Sequence, residues 1–217
     1  MQPEKILENG LLASYEPPSH HYLLERVKGK FELRIASNND YGHLVNDPTA
    51  GAALSIVTNR EMTKIVLVID RKFGDQSRWK KPGGAFSRQE GDKSRDDTAD
   101  RETNEETGLH PVEQKLIFNF VSIPKDPEKD PHAVGVYWQI VDDVHAHVDV
   151  GQEGEHPGVD DLDIERKMPH WKKEHPGVEN LDEHLLTMLD LFDPHRPTLR
   201  EAFKLIGLMN EDGTFNN

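Results

Sequence analysis

The sequence predicts an α/β (α+β) fold, a mixed sheet with helices layered against it. Two observations carry this. Two β-branched runs, Ala52–Thr58 and Lys64–Asp70, flank the polar turn Asn59-Arg60-Glu61, and two more apolar runs, Lys115–Ile123 and Val134–Val141, follow later. Between the pairs lies DDTADRETNEETGL, residues 96–109, whose spacing is helical and not alternating.

Taken in order, residues 1–44 read as an N-terminal extension with strands at His21–Val27 and Lys30–Ile35. In the second of these, Phe31, Leu33 and Ile35 alternate with polar residues. The hairpin Ala52–Asp70 comes next, then a Gly- and Lys-rich loop, RKFGDQSRWKKPGG, ending in Pro82-Gly83-Gly84. A helix is expected from Ser94 to Thr107, with Thr98, Ala99 and Thr103 as a narrow inward stripe and Gly108 just past its end. Trp79 suits core packing better than stacking on a base. After the last strong strand the composition shifts to His, Asp, Gly and Pro. There EHPGVDDLD (155–163) recurs as EHPGVENLD (174–182), and each copy, Pro-Gly before an acidic turn, reads as a helix entry. The second copy leads into an amphipathic helix carrying Leu181, Leu185, Met188, Leu189 and Phe192, ended by Pro194 and Pro197. Leu199–Met209 reads as a last short helix.

Composition narrows the function. The chain of 217 residues carries 40 acidic and 26 basic residues, a net charge of −14. Such a field repels nucleic-acid backbones, so no long nucleic acid is expected as a partner. There is no cysteine, hence no disulfide framework and no thiolate metal site. The N-terminus has no long apolar run, so neither a signal peptide nor a membrane span is expected, and the protein reads as cytoplasmic.

The acidic helix raises the chemical question. Glu102 faces both Glu105 and Glu106 at helical spacing, and each like-charged pair costs about 0.2–0.5 kcal/mol. Such a cluster is either a solvated face or a site that needs cations. Hard divalent ions take carboxylate oxygens, waters and substrate phosphates. A glycine in the nearby loop lets a backbone carbonyl approach, and Arg101, four residues before Glu105, can hold that carboxylate in place.

Gly84-x5-Glu90 followed by Arg101-Glu102-Thr103-Asn104-Glu105-Glu106-Thr107-Gly108-Leu109 resembles the Nudix box, G-x5-E-x7-R-E-U-x-E-E-x-G-U, with U a bulky apolar residue. Thr103 stands where an apolar residue is usual. Residues 91–100 make ten between Glu90 and Arg101 where the pattern has seven. If the extra residues lie in the loop before the helix, Glu90 keeps its place; if they lie earlier, Lys93 takes it. The strand, basic loop and Trp-x-x-Pro-Gly-Gly run ahead of the box extend the resemblance.

The resemblance implies a Nudix-type α/β/α sandwich with a mixed central sheet over residues 45–195, followed by a C-terminal helix and tail at 196–217. It implies a Mg²⁺- or Mn²⁺-dependent hydrolase of a nucleoside diphosphate linked to another moiety, ADP-ribose or a nucleotide sugar first. Glu102, Glu105 and Glu106 would be metal ligands, with the Gly84 carbonyl and Glu90, and one glutamate would serve as base. Glu153 or Glu155 are alternative bases. Arg71, Lys80, Lys81 and Arg88 surround the box loop and would steer the small nucleotide substrate. The extra N-terminal residues suggest a homodimer. The alternative is a catalytically silent Nudix-fold nucleotide-binding or regulatory protein.

Overall fold

The computed structural model describes residues 15–37, 40–70, 79–146, 174–181 and 194–215. Nine strands there form one mixed sheet: β1 (Tyr22–Val27), β2 (Lys30–Ile35), β3 (Ala52–Asn59), β4 (Lys64–Asp70), β5 (Trp79–Lys80), β6 (Gly83–Ala85), β7 (Glu113–Ser122), β8 (His132–Val141) and β9 (Glu174–Asn180). Three helices accompany them: α1 (Gly42–Asn46), α2 (Arg95–Thr107) and α3 (His195–Leu205). The strands run β2-β1-β7-β8-β3-β4-β5, with β6 beside β3 and β9 beside β4. Pairs β1–β7 and β3–β8 are parallel, and the others are antiparallel. Among the described residues no helix is long and apolar enough to cross a membrane.

Alternation along β3 and β8 sorts their residues onto two faces. Ala53 and Tyr137 pack with Ala99 of α2, and Ser55 donates to the Ala99 carbonyl. Ile56, Val136, Trp138 and Ile140 belong to the main core, where Leu199, Ala202 and Phe203 of α3 also lie. A helix therefore covers each face, the α/β/α layering expected. Trp79 also packs against this core.

Strands β3 and β4 pair only at Val57–Val66 and Thr58–Ile65. Beyond that point β5 lies on β4, through Val68–Lys80 and Ile69–Trp79. Then β6 crosses to β3, through Ala53–Gly84 and Leu54–Gly83, with Ser55 N–H donating to the Pro82 carbonyl at 2.8 Å. The Trp79–Ala85 segment thus wedges the hairpin open, and period-two alternation sends Lys80 and Lys81 to opposite faces.

Helix α2 begins at a reciprocal cap. Ser94 Oγ accepts from Asp97 N–H, while the Asp97 carboxylate accepts from Ser94 N–H. It ends at Gly108 in the left-handed conformation, whose N–H reaches the Asn104 carbonyl at 2.8 Å. Thr103, the departure from the apolar pattern, is fully buried and donates to Gln139 Oε1 of β8 at 2.6 Å. A hydroxyl is tolerated there because β8 supplies an acceptor.

Two expectations are corrected. The second EHPGV copy is strand β9, not a helix entry: it pairs along the free edge of β4 from Lys64–Asn180 to Asp70–Glu174. Pro176 fits because an edge strand need not donate at every residue. The last helix starts at His195, not Leu199, and Pro197 sits in its first turn, where a missing N–H breaks no helical bond. The first repeat copy and the helix expected around Leu185–Phe192 lie outside the described residues.

Lys81 is fully buried beside α3. Its ammonium meets the Thr198 hydroxyl, and its backbone N–H donates to His195 Nδ1 at 3.0 Å. Burial pulls the Lys81 amine down from 10.5 to about 7. It also drives His195 well below the ordinary histidine range, with the Lys81 and Lys80 charges adding to the effect. Between about pH 7 and 10 the unfolded chain keeps a proton that folded Lys81 has lost, so this group makes stability rise with pH across that window. Lys81→Met is expected to be more stable at pH 7 by about 1–3 kcal/mol and to lose that advantage near pH 10. Denaturant unfolding at the two pH values measures both.

Candidate active site

The site forms where the buried face of α2 meets β5 and β6. Its centre is Arg101. The guanidinium donates through Nε to Asp92 Oδ1 at 3.0 Å and through Nη2 to Asp92 Oδ2 at 3.1 Å, a two-point clamp. Nη1 reaches Glu105 Oε2 at 2.9 Å and Glu90 Oε2 at 3.2 Å. Nη2 reaches Glu102 Oε1 at 3.0 Å and the Ala85 carbonyl at 3.1 Å. Burial alone would lower Arg101, but the Asp92 hydrogen bond and the charges of Glu102, Glu105 and Asp92 hold it above its ordinary value.

Asp92 is the residue that spacing did not reveal. It is buried, and besides Arg101 it accepts from Ser87 N–H at 2.9 Å and from the Thr98 hydroxyl at 2.8 Å. Burial opposes its charge, yet the bonds from Arg101, Ser87 and Thr98 keep the carboxyl below its usual range. Neither Glu90 nor Lys93 takes this anchoring place. Glu90 ends the 3₁₀ turn Arg88–Glu90 with its side chain 51% exposed, and Lys93 is exposed with its N–H on Asp97. The inserted stretch brings its own acid to Arg101. An aspartate two residues before the helix cap is the only signal the sequence offered.

The other two glutamates point at the glycine strand. A Cβ on Gly84 would lie 2.2 Å from Glu102 Oε1, so the carboxylate occupies space that any larger residue would take. Glu106 is nearly inaccessible. One of its oxygens accepts from Gly83 N–H at 2.9 Å and the other meets Lys80 Nζ at 2.9 Å.

These placements decide what a divalent ion would meet. The donors are all hard oxygens, carboxylates beside a backbone strand that only glycine fits, and they suit Mg²⁺ or Mn²⁺ in kind. Among the described residues, however, no three His, Asp or Glu groups already converge as an ion site. Lys80 and Arg101 stand between them.

The remaining expectations divide by face. Lys80 joins the cluster. Lys81, expected to steer an anion there, is turned into the opposite layer by strand alternation and is wholly buried. Arg88 is exposed at the rim and reaches Thr49 Oγ1 at 3.4 Å. Arg71, Glu153 and Glu155 lie outside the described residues. On the α3 face a cleft of about 170 Å³ reaches Gly84, lined by Leu54, Phe120 and Val134 with Ser122, His132 and His195. Partial burial lowers His132 against a hydrogen bond its ring donates to the Asp130 backbone, which raises it.

A family model described as NUDIX domain matches residues 48–178, more than half of the chain. No curated protein matches it. Among solved structures, a variant of the pyrophosphohydrolase BsRppH from Bacillus subtilis superposes with a TM-score of 0.51 at 14% identity, over 78% of this chain and 87% of that one. NrtR from Shewanella oneidensis superposes with a TM-score of 0.50 at 14% identity, over 71% of this chain and 62% of that one. At such identities the likeness is one of fold.

The Arg101 clamp separates two acids in stability. Asp92→Asn leaves a buried guanidinium underpaired and is expected to cost about 1–3 kcal/mol. Glu90→Gln removes a half-exposed partner and should cost less than about 1 kcal/mol. Chemical denaturation of the two variants checks the order.

Proposed function

The chain belongs to the Nudix family, and we propose that it is a divalent-metal-dependent pyrophosphohydrolase acting on a nucleoside diphosphate joined to a second moiety, with ADP-ribose or a nucleotide sugar as first candidates. The observation that carries this is the packing of Glu102, Glu105 and Glu106 along one side of α2, against Gly83-Gly84 and around Arg101. A merely solvated acidic face would not bury Glu106 or fit Glu102 beneath a glycine.

In this reading Glu102, Glu105, Glu106 and the Gly84 carbonyl hold the ion. When bound, a divalent ion supplies positive charge that neutralises a diphosphate and favours water as the nucleophile. The residues of the chain do the rest. Arg101 is a positioning residue: clamped by Asp92, it fixes the rotamers of Glu102 and Glu105. Gly84 lets the cluster sit directly against the strand that borders the α3-face cleft. That cleft offers Phe120 and Leu54 as apolar walls for a nucleoside, with Ser122 and His132 as polar groups. A carboxylate takes a proton from the attacking water: Glu102, Glu105 or Glu106 of the cluster, or alternatively Glu153 or Glu155.

One observation favours the second reading, a nucleotide-binding or regulatory protein without hydrolysis: both Glu106 oxygens already have partners. Retention of all three box glutamates supports the enzyme.

The test is a panel of nucleoside diphosphate derivatives, with a 5′-triphosphorylated oligonucleotide included, incubated with Mg²⁺ or Mn²⁺ and resolved by ion exchange. The expected result is cleavage of one derivative into two phosphorylated fragments, slowed by at least about 100-fold in Glu106→Gln, with the oligonucleotide left intact. Ligand binding without turnover by any member would establish the second reading.

A further inference from the structure

Among the described residues, two cations of the cluster, Arg101 and Lys80, are held differently. Arg101 is gripped along both edges of its guanidinium, by Asp92 on one and by Glu105 and Glu90 on another, with Nη2 also on the Ala85 carbonyl. It cannot leave without stranding the buried Asp92. Lys80 reaches Glu106 Oε1 through the tip of a flexible four-carbon stem. It lies in the two-residue strand β5, and a fifth of its side chain is exposed. Its partner Glu106 is only 3% exposed, so this contact exchanges little with water. Glu106 also has a second anchor, Gly83 N–H at 2.9 Å, that keeps the carboxylate in place if the ammonium departs.

Lys80 fills the approach to Glu106 Oε1. From this we infer that Lys80 is a displaceable internal cation that competes with the divalent ion for Glu106 and so sets the metal affinity of the site. The inference rests on the metal-hydrolase reading. Ion entry moves the Lys80 ammonium outward, toward solvent, and leaves the Arg101 clamp as it is. The exchange trades one positive charge for two on the same carboxylates, so the site tightens toward divalent ions when the lysine charge is removed.

Mn²⁺ alone is the probe, titrated into the full chain and read by the electron paramagnetic resonance of free Mn²⁺ and by calorimetry. The variants are Lys80→Met, Lys80→Gln, Lys80→Arg and Glu106→Gln. Both neutral variants should bind Mn²⁺ about tenfold tighter than the wild type, the scale of one partly buried ion pair. Lys80→Arg, which keeps the charge, should stay within about threefold of wild type. Glu106→Gln should lose the site. Two neutral side chains of different shape guard against a packing effect in one of them. If the wild type binds Mn²⁺ through Glu106 and the neutral variants bind it equally or more weakly, Lys80 is not a competitor and the inference falls while the hydrolase reading stands. If no form binds Mn²⁺ at Glu106, both fall together.

Discussion

A clamped arginine governs this molecule. Helix α2 presses three glutamates toward a sheet, and like charges at helical spacing on a half-buried face repel unless a cation sits among them. Arg101 is that cation, and it can serve Glu102 and Glu105 only because Asp92 has taken hold of its other edge. The clamp reaches outward from there. Asp92 is itself set by Ser87 N–H and the Thr98 hydroxyl, so the loop after β6 and the first turn of α2 close on one carboxylate. The Ala85 carbonyl ties the same guanidinium to the strand beside β3. One buried charge network thus joins the helix, the loop and the glycine strand.

The wedge between β3 and β4 gives that network its position. Because β5 and β6 run into the fork of the hairpin, Lys80 and Gly83-Gly84 arrive under α2 on a short, nearly extended path. At Gly84 a side chain would push the Glu102 carboxylate away from the strand. The neighbour Lys81 takes the other face and becomes part of the contact with α3. Two lysines in succession therefore have opposite roles: one balances the acidic cluster, and the other is a buried amine tolerated beside a hydroxyl. The chain accepts a cost in stability at Lys81 to seat α3, and α3 in turn brings His195 to the cleft that reaches Gly84.

Much of this was legible in the residues. Continuous β-branched and apolar runs marked β3, β4 and β8 to within two residues at each end, because these strands are buried on both faces. Alternation marked β2, whose Phe31 and Leu33 pack against the core. The acidic helix was bounded by Ser94 and Gly108, whose capping chemistry is local. The pairing of Arg101 with Glu105 followed from spacing alone. What escaped was non-local or hidden by irregular spacing. Asp92 lies in the inserted stretch, where no periodicity singles it out among Glu90, Lys93, Asp96 and Asp97. The strand at Glu174–Asn180 begins with a sequence that suits a helix entry, and only the open edge of β4 turns it into a strand. The separation of Lys80 from Lys81 depends on the parity of a two-residue strand. The salt bridge between Lys80 and Glu106 spans twenty-six positions and carries no mark in either segment.

The central claim is that these glutamates, beside Gly83-Gly84, are where a divalent ion is held. Paramagnetic broadening by sub-stoichiometric Mn²⁺ in the amide NMR spectrum tests it most directly, since the effect falls steeply with distance from the ion. The amides of Gly83, Gly84, Glu102, Glu105 and Glu106 are expected to broaden first, while those of the β1–β2 hairpin at the far end of the sheet stay sharp. Broadening centred elsewhere on this acidic chain, with the Gly83-Gly84 and α2 signals intact, would contradict it.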